Sequence, residues 1–150
     1  MKVRIRKSVR RREIRLAPIR EAIERTLDGE KRTDAEVSVL IVNDARIREL
    51  NRLYRGIDSP TDVLAFAMAE GRFTDLHPDL LGDVVISAER AAVQAGRAGH
   101  ALAHELRLLA VHGTLHLLGY EDETASGQAR MRRLERKYLK RARKPGGESP

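Results

Sequence analysis

The residues best placed to do chemistry lie in one stretch, His112-Gly-Thr-Leu-His116-Leu-Leu-Gly119-Tyr120-Glu121-Asp122. Two histidines four residues apart project from nearly the same face of a helix, so their imidazoles can converge on one cation. Gly119 can take the left-handed conformation that ends a helix and swings the chain back, which lets Asp122 approach the pair. Two imidazoles and a carboxylate form a recurring set for a catalytic zinc with an open coordination position. The spacing is close to the long zinc-protease motif His-Glu-x-x-His-x-x-Gly-x-x-His. Position 113 is Gly, however, so the glutamate that serves those proteases as general base is missing, and position 122 is Asp instead of a third His. The reading is a metal site without peptide hydrolysis. Glu121 and Glu123 are alternative third ligands, each otherwise a solvated turn charge. The opposing reading of His112 and His116, as core histidines with satisfied hydrogen bonds, is answered by the glycine turn and the carboxylate beyond it.

Other candidates carry less. His100 and His104 make a second pair at the same spacing, but with no third ligand in view they read as surface or first-turn residues of a helix. His77 falls in a loop and tells nothing. Cysteine is absent, which removes disulfides and thiolate metal sites together and leaves histidine and carboxylate as the strong ligands.

Positioning these groups requires a core, and 150 residues with 41% hydrophobic content suffice for one domain. The alternating Val3-Arg-Ile-Arg-Lys7 reads as an edge strand, and Arg10-Arg-Arg12 as a solvated basic face. Pro18 suits the first turn of a helix carrying Ile19, Ile23 and Leu27 at a 3.6 period, with Gly29 as its stop. Val37 to Val42 suggests a strand covered on both faces. Asn43 or Asp44 caps a helix from Ala45 to Arg55 that turns Ile47, Leu50 and Leu53 inward. The turn cluster Asp58-Ser-Pro-Thr-Asp62 leads to a short buried strand, Val63 to Ala67. Glu70 to Asp79 reads as a loop and Gly82 to Ile86 as the last strand. Ser87 caps a helix to about Gly96, Ala101 to Leu118 is a long apolar helix, and a final helix from about Thr124 to Leu139 buries Met131, Leu134 and Tyr138. The expected fold is α/β (α+β), a single domain over residues 1–139. It has a mixed sheet of about four strands, helices packed on it, and a central buried helix bearing the metal ligands. Residues 140–150 read as a disordered basic tail.

Twenty-nine Lys plus Arg against 22 Asp plus Glu leave a net charge of +7, which favours a polyanionic partner such as RNA or DNA. The five aromatic residues, Tyr54, Phe66, Phe73, Tyr120 and Tyr138, are too few for a base-stacking platform, so RNA contacts are expected mainly at phosphates. No apolar run reaches bilayer length and no signal-peptide core follows the N-terminus, so a cytoplasmic protein without a membrane span is the expectation.

Three ordered blocks, read together, resemble the YbeY family of metal-dependent, endoribonuclease-like factors in ribosomal RNA maturation. The family's pattern is similar to His-Gly-x-Leu-His-Leu-x-Gly-Tyr-Asp-His, which this chain follows from His112 to Tyr120 before departing at Glu121-Asp122. Leu50-Asn-Arg-Leu-Tyr-Arg-Gly56 and Thr61-Asp-Val-Leu-Ala-Phe66 match a second block, with Ala65 and Ala67 where Ser and Pro are usual, and Leu81-Gly-Asp-Val84 matches a third. The resemblance spans about residues 37 to 138. It implies a single α/β domain, one zinc or similar divalent ion on His112 and His116, and single-stranded RNA as substrate. The ribosome or its proteins are the implied partners, and Arg55 is placed in the cleft facing the metal. A guanidinium suits that place, because it can hold a phosphate bidentately and offset charge growing on its oxygens. The departure at 122 puts an aspartate where the family supplies a third His, so Asp122 is the expected third ligand, with Glu121 and Glu123 as the alternatives. Two functions follow as alternatives: a metal-dependent endoribonuclease, or a non-catalytic ribosome-assembly factor with a structural metal.

Overall fold

A four-stranded sheet sets the position of every other element in the computed structural model, which describes residues 1–68 and 79–140. Strand β1 (Lys2–Lys7) buries Val3 and Ile5 and turns Lys2, Arg4 and Arg6 outward, as its alternation requires. It forms one edge, parallel to β2 (Glu36–Val42), with Val3 opposite Val37 and Ile5 opposite Val39. β2 is parallel in turn to β4 (Leu80–Ser87), and β3 (Val63–Ala67) closes the other edge antiparallel to β4. The order β1-β2-β4-β3 is the mixed sheet of four strands that the sequence predicts.

Helix α1 (Leu16–Gly29) makes the crossover from β1 to β2, and α2 (Asp44–Arg55) follows β2. Helices α3 (Ala88–Ala98), α4 (Leu102–Leu117) and α5 (Ala125–Leu139) follow β4. The principal core lies between one face of the sheet and helices α1 and α4. There Val37, Val39, Ile41, Val84 and Ile86 meet Ile19, Ile23, Leu27, Leu106, Leu109 and Ala110. Behind α4 a second cluster joins Val111 and Leu115 to Met131 and Tyr138 of α5.

The opposite face of the sheet is only partly covered. Helix α2 caps one end of it, packing Ile47 against Val42, Leu64 and Val85. Ser38 and Leu40 are therefore half-buried, so β2 is not sealed on both faces as its apolar run suggests, and β3 is a half-buried edge strand. Leu53 also departs from expectation, being 57% exposed. At 100° per residue it lies about 120° from Ile47, the buried centre of the apolar stripe, and about 60° beyond Leu50, while Asn51 turns inward instead and donates to the Ser59 carbonyl at 3.0 Å.

Two helix starts are capped as read, Asn43 accepting from Arg46 N and Ser87 from Arg90 N, and Thr124, read only as the start of the last helix, caps it by accepting from Gly127 N. Gly29 is the last residue of α1, and what requires a glycine there is space, since a Cβ would lie 2.3 Å from the Tyr138 ring. All of the expected loop over 70–79 except Asp79, including Phe73 and His77, and the tail from 141 onward lie outside the described residues.

Candidate metal centre

Helix α4 is apolar on almost every side, and Leu106, Leu109, Ala110, Val111 and Leu115 are all buried, so the helix runs through the protein rather than over it. At position 113 it comes hard against the sheet: a Cβ there would sit 2.6 Å from Val84 Cγ1. The glutamate of the zinc-protease motif therefore has no room, and the missing general base is a consequence of how closely α4 packs on β4.

One turn further on, the helix ends. Leu118 is its cap and Gly119 follows with φ +101°, a conformation that a side chain resists, turning the chain back so that Tyr120 N donates to Leu115 O at 3.1 Å. Tyr120 is then pinned, because its hydroxyl donates to Glu30 Oε1 at 2.5 Å while Tyr138 donates to the other oxygen of the same carboxylate. The hydrogen bond to Glu30, then burial, pushes the Tyr120 phenol above its ordinary pKa, and burial with the same carboxylate's hydrogen bond does so for Tyr138, so both remain donors at any physiological pH. The end of α1, the turn and α5 are thereby tied together two residues before Asp122.

This frame brings the predicted ligands to one point. His112 Nε2 and His116 Nε2 lie 3.1 Å apart, and Asp122 Oδ2 is 3.5 Å from each. The edge of a tetrahedron built on metal–nitrogen distances near 2 Å is roughly 3.3 Å, so three such atoms already stand where a tetrahedral divalent cation needs them, with the fourth corner open to the cleft. Two imidazoles and a carboxylate suit zinc and other borderline divalent ions. Among the described residues this set is the cluster able to hold a metal, while Glu121 and Glu123 stay exposed at the rim.

A residue that the sequence reading missed holds the ring of the first candidate ligand. Glu135 of α5, its side chain 12% exposed, accepts from His112 Nδ1 at 2.9 Å. The proton assigned to Nδ1 by that bond leaves the Nε2 lone pair for the cleft. Burial works against a proton on the ring, but the Glu135 hydrogen bond and the charges of Glu135, Asp122 and Asp62 outweigh it and raise the His112 pKa. The signal was there to read: Glu135 shares a helix face with Met131 and Tyr138, and a carboxylate in an apolar stripe needs a partner. Glu135→Ala is expected to weaken metal binding by roughly tenfold, the low end for loss of such a partner. Glu135→Gln, which keeps an acceptor but no charge, should fall between. In the metal-free protein the raised pKa contributes stability that is whole below the ordinary histidine value of 6.5 and is lost as pH rises through the raised one. The alanine variant should flatten that dependence. Metal competition titrations and histidine 15N shifts measure both effects, and an Ala variant unchanged in each would refute the orienting role.

Arg55 closes the opposite wall. It is the last residue of α2, and its Nη2 donates to Ala65 O at 2.5 Å while the guanidinium lies 5.2 Å from the Phe66 ring centroid. It shares a cleft of about 460 Å³ with His112, His116, Asp122 and Asp62. Asp62, which closes the turn cluster and falls in the second family block, is held by Gln94 Nε2 at 3.1 Å and by Val63 N at 2.8 Å. The second histidine pair lies at the other end of α4. There His100 Nε2 is 2.6 Å from Glu105 Oε1, and burial, helped by His100 and Arg107, lowers the His104 pKa. No third metal-binding group joins them among the described residues.

Comparison with known proteins agrees with this architecture. The family model described as Endoribonuclease YbeY matches residues 4–143. The chain is 47% identical over 137 residues to the Endoribonuclease YbeY of Geobacter sulfurreducens, covering 91% of each chain. It is 56% identical over 104 residues to that of Moorella thermoacetica, covering 65% of this chain and 67% of the other. A Thermotoga maritima protein solved in solution superposes with a TM-score of 0.64 at 26% identity, over 91% of this chain and 86% of that one. With matches of this extent to both sequence and fold, the chain belongs to the YbeY endoribonuclease family.

Proposed function

We propose that this protein is a metal-dependent, single-strand-specific endoribonuclease acting in ribosomal RNA maturation and ribosome quality control in the cytoplasm. In this reading His112, His116 and Asp122 hold one Zn2+ or similar divalent ion. The observation that carries it is the convergence of those three side chains across one cleft from Arg55. The names of the relatives supply the reaction class. A bound cation would act there as a Lewis acid and make water more acidic. The protein's own part is to bind and orient. Arg55, braced by Ala65 O and Phe66, presents its remaining N–H groups to a phosphate and offsets charge that develops on its oxygens. Glu135 keeps the His112 ring turned toward the cleft. The basic surface attracts the RNA backbone. No described helix is long and apolar enough to cross a membrane.

The second reading, a non-catalytic ribosome-assembly factor that binds RNA or a ribosomal protein, draws on Gly113, whose contact with Val84 leaves no place for a general base on α4. Elemental analysis of the purified protein and cleavage of matched single-stranded and duplex RNAs, with and without chelator, decide between them. Chelator-sensitive cleavage of single strands is expected, with affinity that falls steeply as salt rises. Metal and RNA binding without such cleavage would favour the assembly factor, and flat salt dependence would remove the phosphate-based mode of binding.

A further inference from the structure

On the open face of the sheet, one side chain away from the metal cleft, lies a second groove of about 490 Å³. Its apolar surface comes from Leu40, Leu50, Val85 and Phe66, and Tyr54 forms one lip. Tyr54 is 68% exposed and stands edge-on to Phe66, with ring centroids 5.4 Å apart. Asp83, exposed at the groove's surface, and Ser38 supply polar groups beside this apolar lining, and partial desolvation raises the Asp83 pKa against the opposing Ser38 hydrogen bond. Arg6 and Arg46 reach the groove, the second paired with Glu49 at 3.0 Å.

Continuity with the metal cleft is the decisive feature. Phe66 lines the groove, and the guanidinium above its ring, 5.2 Å from the centroid, belongs to Arg55, which lines the cleft. Successive residues of β3 face opposite sides, so Ala65 and Ala67 border the cleft while Phe66 borders the groove. A strand whose phosphate rests at Arg55 need cross only this ridge to lay its next base beside Tyr54. A nucleobase has flat apolar faces and a polar edge, which matches a lining of leucine, valine and aromatic rings interrupted by one carboxyl and one hydroxyl. The basic side chains suit the accompanying phosphates. A count of five aromatics argues against a stacking platform, but the fold gathers two of them where the strand would pass.

We propose that this groove is a nucleobase pocket, taking the base of a nucleotide adjacent to the phosphate held at Arg55 in single-stranded RNA. The proposal rests on the endoribonuclease reading and adds to it a place where the strand's register is set. Because the pocket offers a stacking face and only a short polar edge, it discriminates weakly among bases and strongly between a base and none.

Stopped-flow binding of single-stranded RNA nonamers tests it, with 2-aminopurine or an abasic site placed at each position in turn. One position should show quenched fluorescence, and an abasic site there should weaken binding by roughly tenfold. Tyr54→Ala should weaken binding of the intact RNA by about the same factor, abolish the quench and erase the abasic penalty, with metal content unchanged. Tyr54→Phe, which keeps the ring, should behave as the parent. Tyr54 is exposed, so neither variant threatens the fold. An abasic penalty equal in parent and Tyr54→Ala, or unaltered binding by Tyr54→Ala, overturns the proposal and leaves the groove to a protein partner. A parent that binds and cleaves RNA with no position-specific quench overturns the pocket alone. A parent that binds no RNA overturns the pocket and the endoribonuclease reading together.

Discussion

Asp122→Ala is expected to weaken divalent-metal binding by at least the roughly 10- to 100-fold that follows loss of a supporting residue, because here a ligand itself is removed. The carboxylate oxygen stands 3.5 Å from both histidine nitrogens, and its loss leaves two imidazoles that cannot define a tetrahedral site alone. Asp122→His should bind at least comparably. The imidazole restores the ligand set that the family pattern carries at this position, and its longer reach suits a turn already held by Gly119 and the Tyr120–Glu30 bond. The charge of the site would change as well: a neutral imidazole in place of the carboxylate would leave a bound cation a stronger Lewis acid. Glu121→Ala and Glu123→Ala, exposed and outside the cluster, should leave affinity within about twofold of the parent, the ordinary scale of a surface change. Competition against a chromophoric chelator measures all four. Should Asp122→Ala bind as tightly as the parent while Glu123→Ala does not, the ligand is misassigned by one residue. If no variant matters and the purified protein carries no ion, the hydrolase reading falls.

What could be read from the sequence was whatever depends on neighbours along the chain. The i,i+4 histidines, the glycine turn and the caps at Asn43 and Ser87 are local, and each appears where the pattern placed it. Asp122 was within reach because a glycine turn returns the chain over only a few residues. Glu135 stood out locally as a carboxylate on the Met131 and Tyr138 face, but its partner did not, since it meets His112 across 23 residues by the docking of α5 on α4, which no local period encodes. The same limit hid the purpose of Gly29 and Gly113. One makes room for Tyr138 and the other for Val84, both contacts between distant elements. Leu53 was misassigned because hydrophobicity was read without its angle on the helix, and β2 because an apolar run does not reveal that α2 covers only one end of the sheet. Arg55 stood out through the family resemblance alone, since a cation at the end of a helix is otherwise ordinary.

Arg55→Lys is expected to fold as the parent does and to lose RNA cleavage by roughly 100-fold or more, the scale seen when one positioned donor to a developing oxyanion is removed. The fold should survive because Arg55 is exposed and its helix ends on Gly56, whose left-handed conformation (φ 71°) caps it independently of the side chain. Activity should not survive, for a geometric reason. The guanidinium is braced on one side by the Ala65 carbonyl at 2.5 Å and lies over the Phe66 ring, so its planar fork is held before any phosphate arrives. An ammonium keeps the charge, but it is a compact, strongly hydrated point that cannot bond the carbonyl and two phosphate oxygens in one plane. Metal content should stay at the parent level, because Arg55 is not among the ligands. Binding of RNA should fall far less than the rate, since the net charge that draws the backbone is unchanged. That separation makes the test specific: equal losses in affinity and rate would reduce Arg55 to a general phosphate contact, and parent-like cleavage by a folded, metal-loaded Arg55→Lys protein would remove it from the reaction altogether.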